Sequence, residues 1–416
     1  MIRSVPAERP ALDRLLGSAS AGFAEEIWGR APLLVTSDER AAGDDLSDLF
    51  SLAAADELLA GRGLRTPFLR LAKDGKTLPD KDFTTGGGVG AGISDQIDED
   101  KVRRRFADGA TVVLQALHRT WPSVARLVDG LSAELGHPIQ ANCYLTPPQN
   151  QGFGAHYDVH DVFVLQVHGS KEWIVHAPVV EHPLRDQPWA EHRAAVQQRA
   201  AEEPLLRLTL RPGDCLYLPR GYLHSARAAG GISGHLTLGV HTWTRHHLAD
   251  ALADEVLRAL RELTEARASL PLGIEVDDPA ALAADLDAVR QEFQRLLADL
   301  PGDRIAAALL ADARNAQRPA AVPPFQALAD AEALTDADTL RLRTGLLLRI
   351  EETADGSSLR SRAGRCTVDD AQVAAVRRLA KSPAGVAELR EATGVSRDGL
   401  RMLIREGILE RGAEAP

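Results

Sequence analysis

Residues 154–176, GAHYDVHDVFVLQVHGSKEWIVH, decide the fold. Two short apolar runs, DVFVLQVH and KEWIVHA, have the alternation and length of β-strands. Gly169-Ser170 between them reads as a tight hairpin turn. Just upstream, His156 and Asp158 stand two apart, so on an extended chain both side chains face the same way. An imidazole and a carboxylate placed like that can hold one metal ion. His160 lies on the same alternating face and competes with His156 for that role. His168, His176 and His182 read as surface or satisfied histidines.

A second stretch completes the pattern. In PGDCLYLPRGYLHSA (212–226), a Pro-Gly-Asp turn leads into strand CLYLP. Pro219-Arg220-Gly221 then bends the chain ahead of His224, which lies 66 residues past Asp158. Two histidines and one carboxylate leave three coordination positions open, the arrangement of non-haem Fe(II) oxygen chemistry. With 13 His and 59 acids in the chain, an HxD pair alone says little. The full order says more: HxD before the paired strands, a lysine at their junction, then PGD…PxGxxH on a later strand. The lysine, Lys171, is one of only six, so its placement there is unlike chance.

Outward from this centre, ATVVLQAL, IQANCYLT, LRLTL and GHLTLGVHTW add further short strands between about 110 and 245. Many short strands with Gly, Pro and Asp between them point to a sandwich or barrel that encloses a pocket. A helical insert is expected at 186–203. Residues 1 to about 110 read as mixed helix and loop. Their glycine run GGGVGAG (86–92) lacks the Lys-Ser/Thr and the strand–turn–helix setting of a phosphate site. From 246 to 325 the chain is helical. Leu248, Leu252, Val256, Leu260 and Leu263 form one stripe, and Asp278-Pro279 starts another helix. AAVPPF (320–325) marks a boundary. Beyond it, TLRLRTGLLLRIEET and SLRSRAGRCTV read as a strand pair around ADGS. VAELREATGVSRDGLRMLIREGILE has the helix–turn–helix–strand order of a winged helix. From Thr367 on, eight basic residues meet eight acidic ones. A nucleic-acid reader needs a basic face, so protein docking or a structural role is the better expectation there.

Composition bounds the function. With 416 residues, two or three domains are expected. Lys+Arg 48 against Asp+Glu 59 gives a net charge of −11, which argues against a dominant nucleic-acid or anionic-membrane surface. Three cysteines without a CxxC imply neither a disulfide scaffold nor a thiolate zinc site, and fit a reducing cytoplasm. No apolar run reaches the roughly 18 residues of a membrane span, and MIRSVPAERPALDRLL has no signal-peptide core.

These residues together resemble the JmjC-type 2-oxoglutarate oxygenases of the cupin fold, and more closely the ribosomal oxygenase branch, which hydroxylates ribosomal proteins. The resemblance covers about residues 20–416. It implies an α+β fold: a double-stranded β-helix (cupin/JmjC jelly-roll barrel) with an N-terminal helical elaboration over 1–245. A helical dimerisation region over 246–325 and a winged-helix-like domain over 326–416 would follow. His156, Asp158 and His224 take the place of the family's catalytic metal triad. Lys171, fifteen residues after His156, matches the lysine that grips the distal carboxylate of 2-oxoglutarate. Asn142, fourteen before His156, matches a residue of the co-substrate pocket, and Tyr144 a substrate-contacting tyrosine. Gln115 falls near another substrate position. Where eukaryotic members carry a serine on the last barrel strand, HLTLGVH (235–241) offers Gly239 or His241. Trp173 shares Lys171's side of its strand, as core or as pocket wall.

The implied cofactor is Fe(II), with 2-oxoglutarate as co-substrate and O2 as oxidant. The implied activity is hydroxylation of an Arg or His side chain of a ribosomal protein, with succinate and CO2 as co-products. The rivals are the same chemistry on another peptide or a small molecule, and a non-catalytic cupin binding protein. A homodimer and a cytoplasmic location are expected, and neither a membrane nor direct nucleic-acid contact.

Overall fold

A computed structural model of the protein describes residues 9–40, 46–151, 153–353 and 356–412. These form two compact units, one of residues 9–242 with 343–345, the other of 243–342 with 346–412.

The first unit is built on one antiparallel sheet. Its strands are β1 (Leu33–Val35), β2 (Leu69–Lys73), β3 (Lys76–Thr77), β6 (Thr111–Leu114), β7 (Ile139–Thr146), β8 (Asp161–His176), β9 (Leu206–Leu210), β10 (Cys215–Leu218) and β11 (Leu223–Val240); β4 (Thr84–Thr85) and β5 (Gln96–Ile97) make a separate ribbon. The order is β1-β10-β8-β11-β7-β6-β2-β3, with β9 also on β8. Two long strands organise it. Asp161–Gln166 of β8 pairs with His235–Val240 of β11, and Ser170–His176 pairs with Leu223–Ala229. The first half of β8 has β10 on its other side, and the second half has β9. Two bent strands thus serve both walls of the double-stranded β-helix.

The expected hairpin at Gly169-Ser170 is therefore absent. Both halves of 161–176 share one partner strand, so the chain bends and continues. The register slips where Ala229 faces Ser170 and Gly234 faces His168. Gly169 sits at φ +58°, and a Cβ there would overlap the carbonyl oxygen of Ile232. A glycine at a bulge and a glycine in a turn look alike in sequence.

Alternation along β8 splits its apolar residues between two cores. Phe163 and Leu165 pack with Cys143, Leu145, Leu236, Leu238 and the helices Pro10–Leu16 and Pro122–Leu135. Val162, Val164, Trp173 and Val175 pack with Leu210, Leu216 and Leu218. Each such side chain contributes about 1.5–3 kcal/mol when fully buried. The helix Pro122–Leu135 starts on its proline, ends at Gly136 (φ +73°), and buries Val124, Leu127, Val128 and Leu131 along one stripe.

The N-terminal stretch differs from the mixed helix and loop expected. It also supplies β1, β2 and β3 to the main sheet. Asp74 (φ +51°) and Gly75 (φ +76°) close the β2–β3 hairpin. Asp-Gly suits such a turn because both residues tolerate positive φ. The insert contains the helix Arg193–Ala200, preceded by a single tight turn at Trp189–His192.

The second unit begins with helices Arg245–Leu260, Pro279–Ala298, Gly302–Ala316 and Pro324–Glu332. The Asp278 carboxylate accepts the Ala280 N–H (2.9 Å) and caps the second of these. Of the predicted stripe, Val256 and Leu260 are buried, Leu248 is exposed, and Leu263 lies past the helix end. The strands β12 (Thr339–Leu342), β16 (Ala384–Gly385) and β17 (Leu409–Arg411) form one sheet in the order β16-β12-β17. The strands β13 (Arg349–Thr353), β14 (Gly356–Ser361) and β15 (Gly364–Val368) form a meander. SLRSRAGRCTV thus splits into two strands; Ala354 and Asp355 of the ADGS turn lie outside the described residues. Helices Asp370–Leu379, Val386–Thr393 and Arg397–Arg405 pack on a core that includes Leu340, Val376, Leu389, Leu400 and Leu403. Among the described residues, no helix is long and apolar enough to cross a membrane.

Candidate active site

His156 and His224 are held side by side by their backbones. The His156 N–H donates to the His224 carbonyl (3.1 Å), and the His224 N–H donates to the His156 carbonyl (2.8 Å). The Gly221 N–H donates to the Asp158 carbonyl (3.0 Å), which stitches the HxD segment to the turn before β11. That turn is anchored from below by Asp161, which is fully buried. Its carboxylate accepts from the Tyr217 hydroxyl (2.6 Å) and from the Arg220 backbone N–H (3.1 Å).

The imidazoles are oriented by local carbonyls. His156 Nδ1 donates to the Gly154 carbonyl (2.8 Å), and His224 Nδ1 donates to the Tyr222 carbonyl (3.1 Å). A carbonyl only accepts, so each Nδ1 carries a hydrogen, which in the neutral ring leaves the Nε2 lone pair for a metal ion. One ligand atom from each of His156, Asp158 and His224 lies within 4.8 Å of the others. His224 Nε2 is 3.7 Å from Asp158 Oδ2. Burial, with the neighbouring His156, pushes the His224 imidazole down to about 4. Burial would raise the Asp158 carboxyl, but His160, His224, His156 and Arg70 together hold it below its ordinary value. Neutral imidazoles and an ionised carboxylate are the protonation states a divalent ion requires. The donor set fits one such ion with open positions.

These residues face a cavity of about 860 Å³. Deep in it, Lys171 is only 3% exposed. Its Nζ donates to Thr146 Oγ1 (3.0 Å) and to His235 Nδ1 (3.2 Å). No carboxylate pairs with it among the described residues, and burial pushes its ammonium down to about 7. A buried cation without a counter-ion is costly, so the position suits an incoming anion. Tyr144 stacks on His235 with ring centroids 5.0 Å apart and planes 2° from parallel. Burial holds His235 well below its ordinary value, and the neighbouring Lys171 adds to this. Trp173 is a wall of the cavity as well as part of the core, and its buried indole N–H has no hydrogen-bond partner.

Other expected positions do not line the cavity. Asn142 shares its strand face with Tyr144 and Thr146, but its Oδ1 accepts the Ala116 N–H (3.0 Å). The Gln115 side chain donates to the Pro67 carbonyl. The His241 N–H donates to the Pro138 carbonyl (2.8 Å), and its ring lies 5.0 Å from that of His160. His160 is not one of the three grouped ligands, although it is near enough to act on the Asp158 carboxylate, and a Cβ at Gly239 would press on its ring (2.9 Å). His176 is buried against the Glu202 carbonyl (3.2 Å), while His168 and His182 are exposed.

Sequence reasoning missed Thr146, His235, Arg70, Trp189 and Arg193, all of which line the cavity. Thr146 was within reach, four residues past Asn142 on one face. His235 follows from register, since it faces Tyr144 across β11 and β7. Arg70 could be placed only by recognising the Asp-Gly hairpin.

Barrel, ligand set and buried lysine define the class. Residues 114–248 match the family model described as JmjC domain. More particularly, the chain is similar to ribosomal oxygenases. It is 27% identical over 288 residues to ribosomal oxygenase 2 of Mus musculus, covering 67% of this chain and 57% of that protein. It is 40% identical over 148 residues to ribosomal oxygenase 1 of Homo sapiens, covering 34% of this chain and 22% of that protein. The chain thus spans little more than half the length of the first of these relatives. Among solved structures, the Escherichia coli ribosomal oxygenase YcfD matches with a TM-score of 0.55 at 18% identity, over 94% of this chain and 98% of that one. A structure of YcfD in complex with cobalt and 2-oxoglutarate matches with a TM-score of 0.53 at 17% identity, over 96% and 99%. These likenesses concern the fold.

Proposed function

We propose that the protein is an Fe(II)- and 2-oxoglutarate-dependent oxygenase that hydroxylates a side chain of a ribosomal protein. The observation that carries this reading is one cavity holding both His156, Asp158 and His224, with ligand atoms within 4.8 Å, and a buried lysine without a counter-ion. When bound, iron with 2-oxoglutarate and O2 supplies the oxidant that converts a C–H bond to an alcohol, releasing succinate and CO2.

The chain's own residues bind and orient. His156, Asp158 and His224 hold the ion through two Nε2 atoms and a carboxylate oxygen, their Nδ1 hydrogens fixed on carbonyls. Lys171 receives the distal carboxylate of 2-oxoglutarate, with the Thr146 hydroxyl beside it. Tyr144, stacked on His235, forms the side wall toward the substrate. Trp189 and Arg193 of the insert line the cavity, and the Arg193 guanidinium lies over the Trp189 ring (5.2 Å). Asn142, Gln115 and His241 act from behind this wall, as supports of the strands that carry it.

The second unit supports finer assignments. We assign 1–245 to catalysis, 246–325 to a dimer contact and 326–416 to a winged-helix docking domain. The helix Pro279–Ala298 buries none of its side chains and exposes Leu286, Val289 and Leu297, which supports the dimer contact. In the last region, Arg378, Arg390, Arg397 and Arg401 pair with Glu388, Asp336 and Asp398, so these four basic groups are already engaged. That favours a protein partner over nucleic acid. A cytoplasmic site of action fits the free cysteines and the ribosomal substrate.

The test is a turnover assay with Fe(II), 2-oxoglutarate and a ribosomal-protein fraction, read by mass spectrometry. Succinate formation with a gain of one oxygen atom on a ribosomal protein is expected from the wild type and not from His224→Ala. Succinate without that mass gain would favour a small-molecule substrate; no succinate at all would favour a non-catalytic cupin.

A further inference from the structure

The cavity wall includes a residue that lies outside the matched JmjC domain. Arg70 stands on β2, and the register runs crosswise from Arg70 to Val113, then Tyr144, then His235. Directly opposed residues share a sheet face, so Arg70 and Tyr144 meet on the cavity side. The Arg70 guanidinium lies close enough to the Tyr144 hydroxyl to act on it, and lies over the Phe153 ring at 5.5 Å. Its Nε–H is buried without a partner among the described residues, and the residue itself lines the cavity. Gly75 and Thr77 of the same hairpin line the cavity beside it.

The charge census is one-sided. The lining contains three cationic side chains, Arg70, Lys171 and Arg193. Among the described residues it contains one carboxylate, Asp158, and that group is committed to the metal triad. A guanidinium or ammonium that enters meets like charge and finds no acid to pair with. Like-charge juxtaposition in a site is unfavourable. A neutral side chain with a lone-pair acceptor instead finds Arg70 ready to donate.

Resting on the oxygenase reading above, we propose that Arg70 determines specificity. It rejects a cationic target such as arginine or lysine and selects a neutral hydrogen-bond acceptor, an imidazole or a carboxamide. The hairpin 69–77 is then a selecting wall attached to the edge of the barrel. An acidic target is disfavoured for a separate reason, since it would compete for Lys171 and the metal.

The test uses the full chain loaded with Mn(II) and N-oxalylglycine, a non-reacting analogue of the co-substrate. Fluorescent peptides share one backbone and differ at one guest position, carrying His, Asn, Arg or Lys. Binding is read by anisotropy. The His or Asn guest is expected to bind the wild type at least about tenfold more tightly than the Arg guest. Arg70→Glu is expected to reverse that order, and Arg70→Met to bring the ratio near one. Equal or tighter wild-type binding of the Arg guest, or an unchanged ratio in folded Arg70→Met and Arg70→Glu, overturns the proposal. Wild-type succinate formation from 2-oxoglutarate is measured separately. Its absence would sink the oxygenase reading, whereas its presence with the wrong guest order would sink only this one.

Discussion

His156 and His224 exchange both of their backbone hydrogen bonds, at 3.1 and 2.8 Å, although 68 residues separate them. The pairing makes the spacing of two imidazoles a property of the backbone rather than of side-chain packing. It depends on the bend before β11. Gly221 there has φ +89°, and a Cβ would come within 2.5 Å of the Val180 carbonyl oxygen and 2.9 Å of Pro183. Gly221→Ala is therefore expected to displace His224. Mn(II) affinity, measured by paramagnetic resonance titration, is predicted to fall by about 10–100-fold, the usual loss when the support of a ligand is removed. Unchanged affinity would mean that the turn does not position the ligand.

Lys171 carries two opposite predictions. Lys171→Ala leaves the co-substrate carboxylate without its partner, a loss of about 3–5 kcal/mol when a buried pair is broken. A strong rise in the KM for 2-oxoglutarate is expected. In the ligand-free protein, Lys171→Met is expected to raise the melting temperature, because it replaces a buried unpaired cation by an apolar side chain of similar length. The folded ammonium, at about 7, lies below its ordinary value of 10.5. The unfolded chain therefore holds the proton more firmly between those values, and wild-type stability from this group rises with pH across that window. The gain from Lys171→Met is thus larger at pH 6 than at pH 9. Scanning fluorimetry at both pH values checks the sign.

The same group predicts the pH dependence of co-substrate binding. The carboxylate needs the charged ammonium, which burial brings to about 7 in the free protein. Affinity for 2-oxoglutarate is expected to fall as pH rises from 7 to 9, with up to one proton taken up on binding. Calorimetry in two buffers of different ionisation enthalpy measures that uptake. A pH-independent affinity with no proton uptake would remove Lys171 from the binding role.

Gly169 tests the correction to the fold. It has φ +58° and faces the Ile232 carbonyl at the bend of β8. Gly169→Ala is expected to destabilise the protein by more than about 1 kcal/mol, since its Cβ would overlap the Ile232 carbonyl oxygen in addition to the strain of positive φ. An ordinary exposed hairpin turn would relax around the change, and denaturant unfolding distinguishes the two.

The sequence carried the chemistry better than the connections. His156 and Asp158 were legible because a period of two places both on one face of an extended segment, and the glycine-proline bend singled out His224. Strand β8 was legible as apolar residues and not as one strand. A glycine with φ +58° ends a hairpin or kinks a continuous strand, and only the partner strand decides which. Asn142 was placed on the correct face, yet its carboxamide satisfies Ala116, a backbone donor at φ +55° that no local pattern announces. Arg70 stayed hidden because its role depends on a short edge hairpin reaching across two strands. The Asp74-Gly75 turn was the available clue.

Calorimetric titration of the metal-stripped protein with Mn(II) tests the triad most directly. One ion per chain is expected for the wild type, and heats at background for Asp158→Ala and His224→Ala with their folds intact. A wild type that binds no ion, or triad variants that still bind one per chain, would contradict it.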